Sequence, residues 1–175
     1  ILIFIPVGEI CKMHLNKKAE VNMPNTYSQL YIQIVFAVKG RACFIKESFR
    51  EELQKYISGI IAEKKQKLYA IYCMPDHTHI FVSLKPNIAI SDLTRDIKAN
   101  SSTFIKDKKW VNESFSWQEG FGAFSYHKTQ AKNVVDYILN QQEHHRKITF
   151  KEEYIDFLNT SEIEYDERYL FEFYD

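Results

Sequence analysis

Cysteine is scarce in this sequence, and its distribution excludes two common ways of stabilising a small protein. The three cysteines, Cys11, Cys43 and Cys73, lie far apart, are odd in number and form no C-x-x-C pair. We therefore expect neither a disulfide framework nor a cysteine-based zinc site, and the expected location is a reducing cytoplasm.

Long apolar runs are also missing. No run approaches the roughly 18 apolar residues that a membrane-spanning helix needs, so we expect no membrane association. The apolar segment 1–7 is short and no basic segment precedes it, which argues against a signal peptide. Because Met23 stands just before the first convincing strand, we expect residues 1–22 to be an extension outside the folded domain.

The sequence has no net charge, but the two signs are unevenly distributed. Residues 151–175 hold nine acidic and two basic side chains, so their net charge is −7 and that of residues 1–150 is +7. A chain of 175 residues fits one domain with a substantial core. A moderately basic body with an acidic tail is typical of proteins that bind polyanions, and ordinary charge scatter is the alternative.

Alternation of apolar and polar residues predicts the strands. It occurs over 27–38, 68–74 and 77–84. Pro75-Asp76 is too short for a crossover, so the second and third strands should form an antiparallel hairpin. The aromatic stretch 115–126 predicts a bent strand or a strand pair that completes the sheet.

Helical spacing predicts three helices. The first follows a capping box at Ser48 and Glu51, and the second can be capped by Ser91. The third starts at residue 129 or 130 and runs to about Arg146.

The resulting order, β-α-β-β-α-β and a further helix, predicts an α+β fold. We expect a ferredoxin-like or RRM-like antiparallel sheet with two helices on one face and an extra C-terminal helix. Alternate residues of the first strand should face the two helices, namely Ile32, Ile34, Phe36 and Val38. The opposite face carries His77 and His79, and it should be open unless the third helix approaches it.

A histidine pair begins the third strand. His77 and His79 point to the same side of the strand, about 7 Å apart along it, so two imidazole nitrogens can bind one metal ion. The alternative for this motif alone is a pair of surface histidines at a strand end.

The third helix offers a second set of reactive side chains. Tyr137 and Gln141 are four residues apart and should share one helix face. A tyrosine hydroxyl, with a pKa near 10, is a useful nucleophile where a divalent cation neutralises a phosphate, and Gln141 can supply an amide oxygen as third ligand. Two imidazoles and an amide oxygen suit Mg²⁺ or Mn²⁺. For this pair taken in isolation, a half-buried aromatic beside a surface amide is the preferred explanation. His144 and His145 follow, and we expect them at the helix end rather than among the ligands.

The second helix is basic. Its Arg95, Lys98 and Lys106 can contact phosphates of a nucleic acid, and a solvated helix face is the alternative.

The two motifs together resemble a known family. Met74-Pro75-Asp76-His77-Thr78-His79, followed by Tyr137-Ile138-Leu139-Asn140-Gln141, is similar to the small single-tyrosine transposases of the insertion-sequence 200/605 family, within the HUH endonuclease class. The resemblance covers roughly residues 23–148, so we expect a transposase domain there and an acidic C-terminal tail over 149–175. The middle residue of the histidine pair is usually bulky and apolar, and here it is Thr78.

The resemblance implies a specific chemistry in a bacterial cytoplasm. His77, His79 and Gln141 would bind Mg²⁺ or Mn²⁺, and Tyr137 on the extra helix would be the nucleophile. Homodimers of such enzymes cut and rejoin single-stranded DNA at hairpins near element ends, through a 5′-phosphotyrosine and a free 3′-hydroxyl. Their tyrosine helix often serves the metal site of the partner subunit.

Three alternatives are compatible with the sequence. One is a domesticated relative that cuts repeated hairpins without mobilising itself. Another is a ferredoxin-like nucleic-acid-binding module without chemistry, in which sheet aromatics stack on bases. A histidine-based nucleotide hydrolase fits less well, because a third histidine usually extends its motif and Phe81 stands in that place.

Overall fold

A computed structural model describes residues 27–111 and 115–171 of the chain. The predicted extension 1–22 lies outside the described residues. The strands are β1 (Leu30–Ala37), β2 (Lys67–Cys73), β3 (His77–Leu84) and β4 (Gly122–Tyr126). The helices are α1 (Glu47–Glu63), α2 (Ile90–Asp107), α3 (Ala131–Leu139), α4 (Gln141–His144) and α5 (Phe150–Thr160), and short 3₁₀ turns occur at Lys39–Arg41, Lys128–Gln130 and Glu167–Tyr169.

The sheet has the predicted ferredoxin-like topology. Its strand order is β2-β3-β1-β4, and each neighbouring pair is antiparallel. Because β1 lies beside β3, Val35 is opposite His79 and Ala37 is opposite His77. The histidines therefore begin an inner strand of the sheet, and small or apolar side chains of β1 stand next to them.

One sheet face meets α1 and α2, as the alternation predicts. Ile34, Phe36 and Ile80 on this face are fully buried. The helices cover them with an apolar cluster that includes Leu53, Ile57, Leu93 and Ile97. Trp117 closes one end of this core, where it packs edge-to-face on Phe36 and donates a hydrogen bond to Ser101.

The opposite face is covered by the C-terminal part of the chain. α3 packs over β2 and β3 through Val134 and Ile138. α5 packs nearer β1 and β4 through Phe150, Tyr154 and Leu158. His77 and His79 lie in the seam between these two packed regions, where the ring of His77 stacks on Phe150 with centroids 4.1 Å apart.

The helix starts differ from the predicted ones. α1 begins after Lys46 and α2 begins after Ala89, and neither end has a side-chain cap, so Ser48 and Ser91 lie inside helices. Apolar packing on the sheet, rather than capping, determines where these two helices begin. A capping box does form at Thr149 and Glu152, where it starts α5.

The predicted third helix is interrupted. α3 ends at Leu139, and Asn140 has φ −98° and ψ 17°, outside regular helical geometry. The Asn140 side chain donates to the carbonyl of Asp136, a local hydrogen bond that competes with continuation of the helix. Tyr137 and Gln141 therefore belong to successive helices rather than to one face of a single helix.

None of the helices within 27–111 and 115–171 is both long and apolar enough to cross a membrane.

A glycine allows α5 to approach the sheet closely. A Cβ atom at Gly122 would lie 2.8 Å from Cε2 of Tyr154 and 2.9 Å from a ring carbon of Phe124. We expect Gly122→Ala to lower the free energy of unfolding by about 1–3 kcal/mol, measured by urea denaturation, because the rings must shift. Gly59→Ala is the control, since nothing lies within 4 Å of its added methyl group. Equal effects of the two substitutions would contradict this packing.

Candidate active site

The two histidines of β3 are held side by side in the seam. Their ring centroids are 5.0 Å apart, and His77 and His79 are 1% and 0% exposed. Nδ1 of His77 donates to Asp76, 2.7 Å away, in the turn that precedes the strand. Because Nδ1 is used in this way, Nε2 of His77 is left as the ligand atom, an arrangement common in metal sites.

The other histidine is oriented from β1. Nδ1 of His79 lies 3.1 Å from the side-chain amide of Gln33, and Gln33 accepts a hydrogen bond from the Tyr126 hydroxyl at 2.9 Å. The side-chain amide of Gln33 can flip, which exchanges its oxygen and nitrogen, so it can form a hydrogen bond with either tautomer of His79. A cation on Nε2 requires the tautomer that donates from Nδ1, and the Gln33 oxygen can accept that proton.

Tyr137 and Gln141 reach the same seam despite the helix break. The Tyr137 hydroxyl donates to Oε1 of Glu153, on α5. Nε2 of Gln141 donates to the same oxygen at 2.9 Å. The ring centroids of Tyr137 and His79 are 6.2 Å apart. A single chain thus brings its own tyrosine to its own histidine pair.

The second oxygen of Glu153 faces the histidines. Oε2 lies 3.3 Å from Nε2 of His79 and 3.4 Å from Nε2 of His145. Neither pair has hydrogen-bond geometry, because all three atoms lack a hydrogen-bond partner within the described residues. The three atoms are close enough to bind one cation together, but they form no hydrogen bonds with one another.

These unpartnered atoms fit a bound cation. Ligand atoms of His77, His79, His145 and Glu153 all lie within 4.8 Å of one another. Oε1 of Gln141 is also buried without a hydrogen-bond partner in the described part of the chain. Buried polar atoms normally have partners, so a convergent set without them is the arrangement expected of a metal site.

Burial and neighbouring charges set the protonation states. Burial lowers the pKa of His77 to about 4, against the opposing hydrogen bond to Asp76. Burial alone would raise the pKa of the Glu153 carboxyl, but His79 and His145 outweigh it and hold this pKa well below its usual range. Burial, together with the charge of Glu153, raises the pKa of the Tyr137 hydroxyl. Near neutral pH, His77 is therefore an unprotonated ligand, Glu153 an anion and Tyr137 a proton donor.

The basic residues of α2 lie away from the seam, because α2 covers the other sheet face. Lys98 donates to the backbone carbonyls of Gln118 and Gly120, the latter at 2.8 Å, so it holds the loop before β4. Arg95 pairs with Asp92 at 2.7 Å, and Lys106 is exposed. A DNA contact by these three residues stays a prediction.

Sequence reasoning did not find several members of the cluster. From the sequence, Glu153 is expected only as part of the acidic tail, and His145 is expected at a helix end, outside the ligand set. A signal for α5 does exist: Thr149 and Glu152 form a capping-box pattern before apolar residues at helical spacing. Gln33 is a polar residue on an otherwise apolar strand, which also marks a special position.

Comparison with known proteins gives a family match. A family model described as "Transposase IS200 like" matches residues 26–141. The chain is 25% identical over 134 residues to the transposase for insertion sequence element IS200 of Salmonella typhimurium, covering 71% of this chain and 84% of that protein. Residues 26–141 include the histidine pair, Tyr137 and Gln141, but neither His145 nor Glu153.

Solved structures share the fold. A candidate transposase from Deinococcus radiodurans R1 has a TM-score of 0.55 at 18% identity, covering 68% of this chain and 95% of that one. The REP-associated tyrosine transposase bound to a REP hairpin has a TM-score of 0.52 at 16% identity, covering 70% of this chain and 73% of that one.

The contact between Asp76 and His77 is open to a direct test. We expect Asp76→Asn to weaken Mn²⁺ binding by roughly 10- to 100-fold, as loss of an orienting partner does in other metal sites. Isothermal titration of DNA-free protein measures this affinity. Asp92→Asn, which removes a carboxylate on α2, should leave it unchanged, and equal affinities of both variants and the wild type would refute the orienting role.

Proposed function

The chain belongs to the family of IS200-like transposases, and from this membership we propose that it cuts and rejoins single-stranded DNA at the hairpin-containing ends of a mobile element. The family match agrees with the resemblance of the histidine pair and the later tyrosine motif. In this proposal the reaction passes through a covalent bond between Tyr137 and a 5′ phosphate.

One observation carries the proposal: the Tyr137 hydroxyl and the histidine pair are connected within one buried seam. Tyr137 and His79 contact the two oxygens of the same Glu153 carboxylate, one oxygen each. A metal-assisted tyrosine nucleophile requires the hydroxyl and the cation ligands to act on one phosphate, and this arrangement meets that need.

A cavity gives access to the nucleophile. A space of about 220 Å³ lies between β1, β4 and α3, lined by Gln33, Tyr126, Gln130, Asn133, Val134, Tyr137 and Phe157. Its aromatic and amide lining suits an unpaired nucleotide next to the phosphate that is cut.

The chemistry assigned to Tyr137 is a phosphoryl transfer. The Tyr137 hydroxyl gives up its proton as its oxygen forms a bond to phosphorus. The bond from phosphorus to the 3′ oxygen breaks, and that oxygen takes up a proton and leaves as a free 3′-hydroxyl. The phosphotyrosine keeps the energy of the bond, so attack by another 3′-hydroxyl rejoins DNA and returns Tyr137 to its starting form.

A divalent cation, Mg²⁺ or Mn²⁺, fits the site, with His77, His79 and Gln141 as proposed ligands. It would neutralise phosphate charge and stabilise the charge of the leaving oxygen. The number of imidazoles in the seam favours Mn²⁺ over Mg²⁺, because imidazole is a better ligand for transition metals.

The oligomeric state is part of the proposal. The resemblance implies a homodimer whose tyrosine helices exchange. The contact between Tyr137 and His79 within one chain supports a site that is complete in each protomer, whether or not protomers pair.

One alternative in the same class has support of its own. The structural neighbour bound to a REP hairpin suggests a domesticated nuclease that acts on repeated hairpins of its host genome. The alternatives differ in the DNA that is cut, whereas the role of Tyr137 is the same in both.

A denaturing gel tests the proposed reaction. Wild-type protein is incubated with single-stranded hairpins labelled at the 3′ end, from flanking DNA of the element and from genomic repeats, with Mn²⁺, Mg²⁺ or a chelator. We expect a protein-linked label that needs the metal, is abolished by Tyr137→Phe and falls at least a hundredfold with His77→Ala, since cation stabilisation of the transition state is lost. The Tyr154→Phe variant, which removes a hydroxyl from α5, should retain the adduct. Hairpin binding without any adduct would instead indicate a binding module.

A further inference from the structure

We propose that Glu153, on α5, is a further ligand of the divalent cation and positions the hydroxyl of Tyr137. This inference rests on the proposed function, because it assigns another residue to the same site. Glu153 lies beyond the matched residues 26–141, so the family match does not include it.

The two carboxylate oxygens have different partners. Oε1 accepts hydrogen bonds from Tyr137 and from Gln141. Oε2 is turned toward Nε2 of His79 and of His145, within 3.3–3.4 Å of both. One side chain therefore connects the nucleophile to the group of cation ligands.

A purely structural carboxylate would be poorly compensated here. Glu153 is 2% exposed, and its ion-pair partners among the described residues are His79, His144 and His145, with no lysine or arginine. A buried anion needs a full opposite charge or a metal, and none of these histidine partners carries a permanent positive charge. A cation between Oε2 and the imidazoles supplies the missing charge.

The helix that carries Glu153 is fixed against the sheet. Phe150, Tyr154 and Leu158 pack on β1 and β4, and Phe150 also stacks on His77. Glu153 falls on the same helix face as Phe150 and Phe157, at spacings of three and four residues, so packing directs its carboxylate into the seam. Rigid support of this kind is what a ligand and a positioning residue require.

Titration of Mn²⁺ into DNA-free protein tests the role as a ligand. Glu153→Gln keeps the size and one oxygen of the side chain but removes its charge. We expect it to weaken Mn²⁺ binding at least about tenfold, while Asp156→Asn, an exposed carboxylate on the same helix, keeps the wild-type affinity. Unchanged affinity of Glu153→Gln, or no binding by the wild type, would overturn the proposal.

Hydrogen exchange of the wild-type protein gives a test that does not depend on how a variant folds. If Glu153 binds the cation, Mn²⁺ should slow amide exchange in α5 about tenfold or more, together with β3. Protection of β3 with no change in residues 150–160 would exclude Glu153 from the ligand set.

The positioning role has its own readout. At saturating Mn²⁺, Glu153→Gln retains an oxygen that can accept the Tyr137 proton, whereas Glu153→Ala does not. We therefore expect adduct formation to be at least about tenfold slower in Glu153→Ala than in Glu153→Gln, with equal hairpin affinity. Equal rates would refute positioning. The Mn²⁺ titration and the exchange experiment contain no DNA. Absence of cleavage would therefore refute the proposed function without refuting the cation site.

Discussion

The burial of a polar cluster between a sheet face and two helices is the constraint on which the rest of this structure depends. His77, His79, Gln141 and Glu153 are each at most 2% exposed. A buried polar group without a partner costs about 1–3 kcal/mol, and an unpaired carboxylate costs more. Such a cluster is tolerated where its members satisfy one another or a cation does so. Three features together determine where these atoms lie: the sheet register, the turn at Asp76 and the packing of α5.

Most of the fold follows from patterns that are local in sequence. Alternation placed the first three strands and assigned both faces of β1, and the tight connection at Pro75-Asp76 required the hairpin of β2 and β3. Helix ends were less predictable, because Ser48 and Ser91 have capping chemistry but packing starts those helices earlier. The covering of the second sheet face by α5 depends on contacts between distant segments, such as Phe150 on His77, that no periodicity expresses.

The site could be predicted only where its residues form short motifs. His77 and His79 alternate on a strand, and Tyr137 and Gln141 are four residues apart, so each pair is visible in the sequence. In the structure, Glu153 connects the two pairs. Because Glu153 is separated from both motifs along the chain, its part in the site could not be predicted from them. The same is true of Gln33, which reaches His79 only because β1 lies beside β3. Residues that orient or complete a site are therefore harder to predict than those that define it.

The most direct test of this account is the position of a cation in the seam. Crystals of the wild-type protein soaked in Mn²⁺ can be measured near the manganese absorption edge, so that anomalous scattering locates the ion. The account predicts one strong peak about 2.0–2.3 Å from Nε2 of His77, Nε2 of His79 and an oxygen of Glu153. A seam without a peak, or a peak bound elsewhere on the chain, would contradict it.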